Sequence, residues 1–245
     1  MTRILAIDTS SAWCSVALSI DNNEPLFRHD PVSAGASQLL LPWIEEMLIQ
    51  ADISLHDLDA IAIGVGPGAF TGIRLGLAVA QGLAFSSRLP VLPVASLDAI
   101  ASQLALSPQF RSSHASIFAV AVDARMDEIY WAKYQMSDLG FPTRLGDIQL
   151  TKPEKIELSG VQFIAGSAIN EYGERLFTPN SSKLSALFLD EKIGISALGV
   201  LDCGKKDLLD GKQIDISNLE PLYIRNKVAL TTEERSILYK AEISS

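Results

Sequence analysis

Histidine, cysteine and clustered positive charge are the scarce resources of this 245-residue chain, and each scarcity removes a class of function. His29, His56 and His114 stand in separate polar contexts, with no pair at helical spacing and no cysteine or glutamate cluster beside them, which argues against a zinc or iron centre. Cys14 and Cys203 are too few and too far apart for a disulfide framework or a thiolate cluster, and both are expected to be buried, reduced thiols. Lys and Arg number 20 against 29 Asp and Glu, for a net charge of -9. The bases are scattered singly or in pairs (Arg3, Arg74, Arg88, Arg111, Arg125, Lys205, Lys206), so no stripe is available to hold a phosphate backbone, and any nucleic acid is expected to be held mainly by a partner. No apolar run approaches the roughly 20 residues that cross a bilayer. Nor does a signal-like core follow Met1-Thr2-Arg3, and the expectation is a cytoplasmic protein. No strand is followed by Gly-x-Ser-x-Gly, which leaves a serine hydrolase without its elbow.

Apolar residues, 48% of the chain, are what it has in quantity, enough for one large α/β domain or two small lobes. Strand-like runs at 3–7 and 13–20 flank Asp8-Thr9-Ser10-Ser11, a cluster of turn formers that predicts a β-hairpin, and a third strand is expected at 25–32. Residues 36–51 place Leu40, Ile44, Met47 and Leu48 at helical spacing, with Pro42 near the first turn or at a kink. An apolar run at 58–65 ends in glycines and leads into a helix at 70–85. A buried strand follows at 90–94, then a helix capped by Ser96-Leu97-Asp98 that reaches about Leu106. The polar stretch 107–114 is read as a connection and as the boundary between two units, 1–110 and 111–245. Beyond it, Val120-Ala121-Val122-Asp123 repeats Leu5-Ala6-Ile7-Asp8, again followed by a polar turn and a strand, as a duplicated architecture would. A strand at 161–165, helices near 169–176 and 193–205, and an extended 221–224 complete a mixed or mostly parallel α/β pattern.

Three features could carry chemistry. Gly64-Val65-Gly66-Pro67-Gly68 could present the amides of the next helix to an anion, but without the Gly-Lys-Ser/Thr ending of a P-loop a tight strand-to-helix turn is the preferred reading. Gly72, Gly76, Ala80 and Ala84 recur every fourth residue and leave a narrow ridge, open either to the chain's own sheet or to a helix of another subunit. Asp8 and Asp123 each close a first strand, where a carboxylate could bind a hydrated metal, position a water, or cap its own turn. Asp8, Gly66, Gly68 and Asp123 are therefore the candidate nucleotide or turn residues, and no residue is assigned a catalytic role.

The runs Ile4-Leu5-Ala6-Ile7-Asp8-Thr9-Ser10, Cys14-Ser15-Val16-Ala17-Leu18, Leu40-Leu41-Pro42 and Gly66-Pro67-Gly68-Ala69-Phe70-Thr71-Gly72-Ile73-Arg74 resemble the TsaB family. So do Gly82-Leu83-Ala84, Val122-Asp123-Ala124-Arg125 with Glu128-Ile129-Tyr130, and Glu220-Pro221-Leu222-Tyr223-Ile224-Arg225. The likeness is densest over residues 1–131 and thin between about 135 and 215. Ser33-Ala34-Gly35-Ala36-Ser37 and the tail 231–245 depart from the family's pattern.

That resemblance implies an actin-like ATPase fold of two related lobes and a supporting part in making N6-threonylcarbamoyladenosine at position 37 of tRNA. It implies a TsaD-like catalytic partner of similar fold, whose metal-binding histidine pair has no counterpart in Ala95-Ser96-Leu97-Asp98-Ala99-Ile100-Ala101 here. A TsaE-like ATPase joins the complex, tRNA is reached indirectly, and ATP or ADP belongs to the complex, this chain having no cofactor of its own. The partner-binding helices map to 36–51 and 70–85, and Leu40, Leu41, Ile44, Thr71, Arg74, Leu75 and Ala78 are expected to form much of the contact. A homodimer through the same helices competes. Older family labels are glycoprotease-like or peptidase-like, which no nucleophile or metal-ligand set in this sequence supports. The rival reading is a stand-alone actin-like ATPase or a sugar-kinase-like protein, which would need phosphate-gripping glycine turns that Thr9-Ser10-Ser11 and Ala124-Arg125-Met126 do not supply.

Overall fold

A computed structural model describes residues 2–21, 23–32, 35–138, 140–179 and 188–225. The tail 231–245 and the Ser33-Ala34 departure lie outside them. Two five-stranded sheets share one plan. In the first, β1 (Arg3–Asp8) pairs antiparallel with β2 (Trp13–Ile20), β2 with β3 (Leu26–Pro31), and β1 runs parallel to β4 (Ala60–Gly66), which is parallel to β5 (Val91–Ala95). In the second, β6 (Ile117–Arg125), β7 (Glu128–Met136) and β8 (Pro142–Thr151) form the antiparallel run, and β6 is parallel to β9 (Phe163–Ala165), which is parallel to β10 (Phe188–Asp190). The orders β3-β2-β1-β4-β5 and β8-β7-β6-β9-β10 correspond strand for strand, so the short Asp8/Asp123 repeat does mark a duplication.

Helices α1 (Ala36–Gln50) and α2 (Phe70–Ser87) cover the outer face of the first sheet, and α5 (Ala168–Phe177) covers the outer face of the second. Between the sheets lie α3 (Ser96–Leu106) and α6 (Ala197–Leu209). Helix α6 comes from the second half of the chain yet packs on β1, β2, β4 and β5, while α3, from the first half, reaches β6, β7 and β8. Alternate residues of β1 thus enter different cores: Leu5 and Ile7 meet α1 and α2, whereas Ile4 and Ala6 join the central core with Phe118 and Val120. Burial on both faces explains why these strands read as unbroken apolar runs.

Three local readings need correction. Segment 107–114 contains a short helix, α4 (Pro108–Ser113), capped by the Ser107 hydroxyl, which accepts from the Phe110 amide. Ser96 does not cap α3 but begins it, and its hydroxyl lies 3.2 Å from that of Ser10. Asp98 turns to the second lobe instead, accepting from the Tyr134 hydroxyl at 2.7 Å and from Arg144 Nη1 at 3.1 Å to both oxygens. Cys14 is buried, but Cys203 is only partly so; both are free thiols, and burial is the largest cause pushing them up, to about 11 and about 12. Among the described residues no helix is long and apolar enough to cross a membrane.

Candidate functional site

The C-terminal ends of β1 and β4 bring the β1–β2 turn against the glycine-rich segment and the first turns of α2. The Ser10 carbonyl accepts from the Ala69 amide at 2.6 Å, and the Thr9 hydroxyl donates to the Gly72 carbonyl at 2.7 Å. A Cβ at Gly72 would lie 1.9 Å from the Thr9 carbonyl oxygen, and one at Gly68 2.2 Å from that of Ser10. The glycines therefore allow backbone-to-backbone contact within the chain. Ala80 and Ala84, further along the ridge, are fully buried against its own core. The ridge serves this protein's sheet, not another subunit.

This geometry bears on the nucleotide that an actin-like fold suggests. Carbonyl oxygens, not free amides, face the start of α2, and the Ala69 amide is already used, so a phosphate does not fit between the turn and the helix. Asp8 is sealed from solvent, with Ser10 donating its amide to Oδ1 and its hydroxyl to Oδ2, and with Gly64 leaving room for the carboxyl group. Burial pushes its pKa up to about 7, against the lowering effect of the Ser10 hydrogen bonds. Gly66 has φ +101 and sits beneath Ile73 and the Leu222 carbonyl. Asp123 serves its own turn, accepting from the Arg125 amide at 2.8 Å, the Tyr172 hydroxyl at 2.9 Å and the Arg125 guanidinium at 3.2 Å. Asp8, Gly66, Gly68 and Asp123 are thus brought into turns rather than into an open pocket. Among the described residues, no three of His, Cys, Asp and Glu gather closely enough to hold a metal ion.

The raised Asp8 pKa has a measurable consequence. Between the unfolded value near 4 and the folded value near 7 the native state holds a proton that the unfolded chain has released, so this group's contribution to stability falls as pH rises and is lost above about 7. Asp8→Asn cannot ionise. Its urea midpoint should gain on the wild type by the equivalent of about 1.4 kcal/mol per pH unit across that window, levelling off above pH 7. A constant difference from pH 4.5 to 8 would show that Asp8 is not held neutral.

The outer helices present a different kind of surface. Leu40 and Ile44 are 0% and 2% exposed, in one core with Trp43 and Met47, and so are not available as contact residues on α1. That is a correction: helical periodicity picks out the core-facing stripe, and the free side of α1 carries Leu41 and Ile49. On α2, Thr71, Arg74 and Ala78 are exposed and Leu75 is half-buried, in line with exposed Gly82 and Phe85. The two helices touch, and their outward sides expose Leu41, Ile49 and Phe85 by about half or more.

A cluster at the start of α2 went unnoticed in the sequence. The Arg74 guanidinium lies 3.9 Å above the centre of the Phe70 ring, and its Nε donates to the Tyr223 hydroxyl at 3.1 Å. Tyr223 belongs to a strap that crosses both lobes: the Leu222 amide donates to the Val65 carbonyl, and Arg225 donates to the Ala124 carbonyl and to Glu128. Extended character at 221–224 was legible, but its contacts lie about 100 to 150 residues away in sequence.

Two five-stranded mixed sheets of the same plan, each opened by a hairpin with an aspartate at the end of its first strand (Asp8) or two residues before it (Asp123), define the actin-like class of α/β protein. A family model described as "TsaD: tRNA N6-adenosine threonylcarbamoyltransferase" matches residues 32–183. The chain is 34% identical to the tRNA threonylcarbamoyladenosine biosynthesis protein TsaB of Escherichia coli (strain K12), covering 93% of this chain and 96% of that protein. It is 33% identical to the TsaB of Haemophilus influenzae, covering 92% and 94%. The solved structure of YeaZ from Pseudomonas aeruginosa superposes with a TM-score of 0.80 at 33% identity, over 91% of this chain and 100% of that one. Another solved Pseudomonas aeruginosa structure, described as having similarity to peptidase YEAZ, gives 0.79 over 92% and 100%. The chain belongs to the TsaB family, within the wider group that the TsaD model describes.

Proposed function

We propose that the chain is a non-catalytic supporting subunit in the synthesis of N6-threonylcarbamoyladenosine at position 37 of tRNA, acting in the cytoplasm by docking onto a TsaD-like catalytic subunit. The observation that carries this reading is the outer side of α1 and α2, where Leu41, Ile49, Ala78 and Phe85 are left to solvent on paired helices, in addition to Phe70 at the start of α2. Family membership supplies the biosynthetic context. The packed Thr9-Ser10 turn supports a supporting role over a stand-alone ATPase, because the place where such an enzyme would grip phosphate is filled by backbone carbonyls. ATP or ADP then acts elsewhere in the complex, with a TsaE-like ATPase, and tRNA is met through the assembly, in keeping with the net charge of -9.

A second copy of the chain can compete for the same side, since an apolar helix pair accepts a matching pair. Gel filtration of the chain mixed with the TsaD-type subunit of the same organism checks the reading. A single earlier-eluting peak holding both chains is expected. Two unshifted peaks at concentrations well above micromolar would contradict it.

A further inference from the structure

We propose that Arg74 is the charged anchor of this docking face, there to pair with a carboxylate of the partner subunit, and that Tyr223 positions it from the far end of the chain. The inference rests on the docking reading above and adds the chemistry of the contact.

Six of the described arginines already have a carboxylate: Arg3 with Asp57, Arg28 with Glu46, Arg125 with Asp123, Arg144 with Asp98, Arg175 with Asp127 and Glu154, and Arg225 with Glu128. Arg74 has none among the described residues, in a chain with an acidic excess of nine. Yet it is not a loose surface side chain. Its guanidinium rests on Phe70, its Nε is bonded to Tyr223, and the Tyr223 ring stacks on Phe70 at 5.6 Å with 26° between the planes. Using Nε inside the chain leaves the two terminal amino groups, the prongs that bind a carboxylate or phosphate in bidentate fashion, without a hydrogen bond among the described residues. Holding the side chain in place beforehand removes part of the rotamer entropy that binding would otherwise have to overcome.

Tyr223 is itself fixed on both sides. Leu222 is bonded to Val65 at the end of β4, and Arg225 to the β6–β7 turn through the Ala124 and Arg125 carbonyls and Glu128. A partner that reads Arg74 thereby also reads whether the C-terminal strap is seated. A protein carboxylate fits better than a tRNA phosphate. The two arginines nearest along the strap's own contacts, Arg125 and Arg225, are paired with Asp123 and Glu128, so Arg74 stands as a single charge rather than part of a basic stripe, and a polyanion would meet the overall negative charge. Arg74 is also continuous along α2 with the exposed Ala78 and Phe85.

The test is the affinity of the full-length chain for the TsaD-type subunit of the same organism, by titration calorimetry at low and high salt, with thermal midpoints as controls for folding. Arg74→Ala should weaken binding about 10- to 100-fold, as loss of an organised interface arginine does. Arg74→Lys should recover only part of this, since an ammonium group can neither fork nor stack in the same way. Tyr223→Phe keeps the ring and removes the hydroxyl, and should weaken binding about 3- to 10-fold. Because Tyr223 acts through Arg74, Tyr223→Phe should add nothing in the Arg74→Ala background, and the Arg74→Ala defect should shrink at high salt. Wild-type binding with Arg74→Ala undiminished overturns the anchor alone. Equal effects of Tyr223→Phe in both backgrounds overturn the positioning role. A variant that loses retention of tRNA but not of the protein subunit assigns Arg74 to phosphate and overturns the carboxylate. Absence of wild-type binding overturns the docking reading, and the anchor with it.

Discussion

Gly72→Ala is expected to destabilise the protein by about 3 kcal/mol or more, although alanine is the better helix former. The added Cβ would stand 1.9 Å from the Thr9 carbonyl oxygen, and neither side of that contact is a flexible side chain. To relieve it the β1–β2 turn must retreat from α2, breaking the Thr9 hydroxyl bond to the Gly72 carbonyl and straining the 2.6 Å bond from the Ala69 amide to Ser10. For a chain of this size such a loss corresponds to a fall of about 6–12 °C in thermal midpoint. Gly82→Ala is the internal control. It lies in the same helix with nothing within 4 Å of its added Cβ, and it should gain up to about 1 kcal/mol. Equal melting of Gly72→Ala and wild type would show that the turn is not packed as described, and the space beside α2 would again be open to a phosphate.

Ala78→Arg should act in the opposite manner, leaving the fold intact and removing the complex. Ala78 is exposed on α2, and arginine is a good helix former, so the thermal midpoint should stay within a few degrees. On a docked helix face, however, the long charged side chain must either be buried without a counter-ion or hold the helices apart, and affinity for the TsaD-type subunit should fall about a hundredfold or more. Gel filtration and calorimetry read this directly. Any self-association through the proposed docking side should be lost with it. An unchanged complex would place the contact elsewhere on the molecule.

Much of the fold was legible because the duplicated sheets are buried on both faces, and strands such as Leu5-Ala6-Ile7 and Val120-Ala121-Val122 carry that burial in their own residues. Where burial is partial the signal fades. Strand β8, with exposed Thr143, Leu145 and Asp147 and a positive-φ Gly146, gave no strand pattern, and β10 is three residues long. Helix α4 was missed even though Ser107-Pro108 is a usable start signal, a cap followed by proline in the first turn. The candidate interface was half legible for a simple reason. Periodicity identifies which residues of a helix are apolar and aligned, and these are the ones its own core claims, as with Leu40 and Ile44; the surface left for a partner is the remainder. Tyr223 could not be associated with Arg74 from sequence at all, since nothing local encodes a contact spanning 149 positions.

The most direct test of the central claim is tRNA modification in vitro, with the threonylcarbamoyl-adenylate synthase and the TsaD- and TsaE-type subunits supplied and this chain either present or omitted. The account predicts that N6-threonylcarbamoyladenosine forms only when the chain is added, and that the chain alone forms none and hydrolyses no ATP. Equal modification without it would contradict the supporting role, and ATP hydrolysis by the isolated chain would return a stand-alone actin-like ATPase to first place.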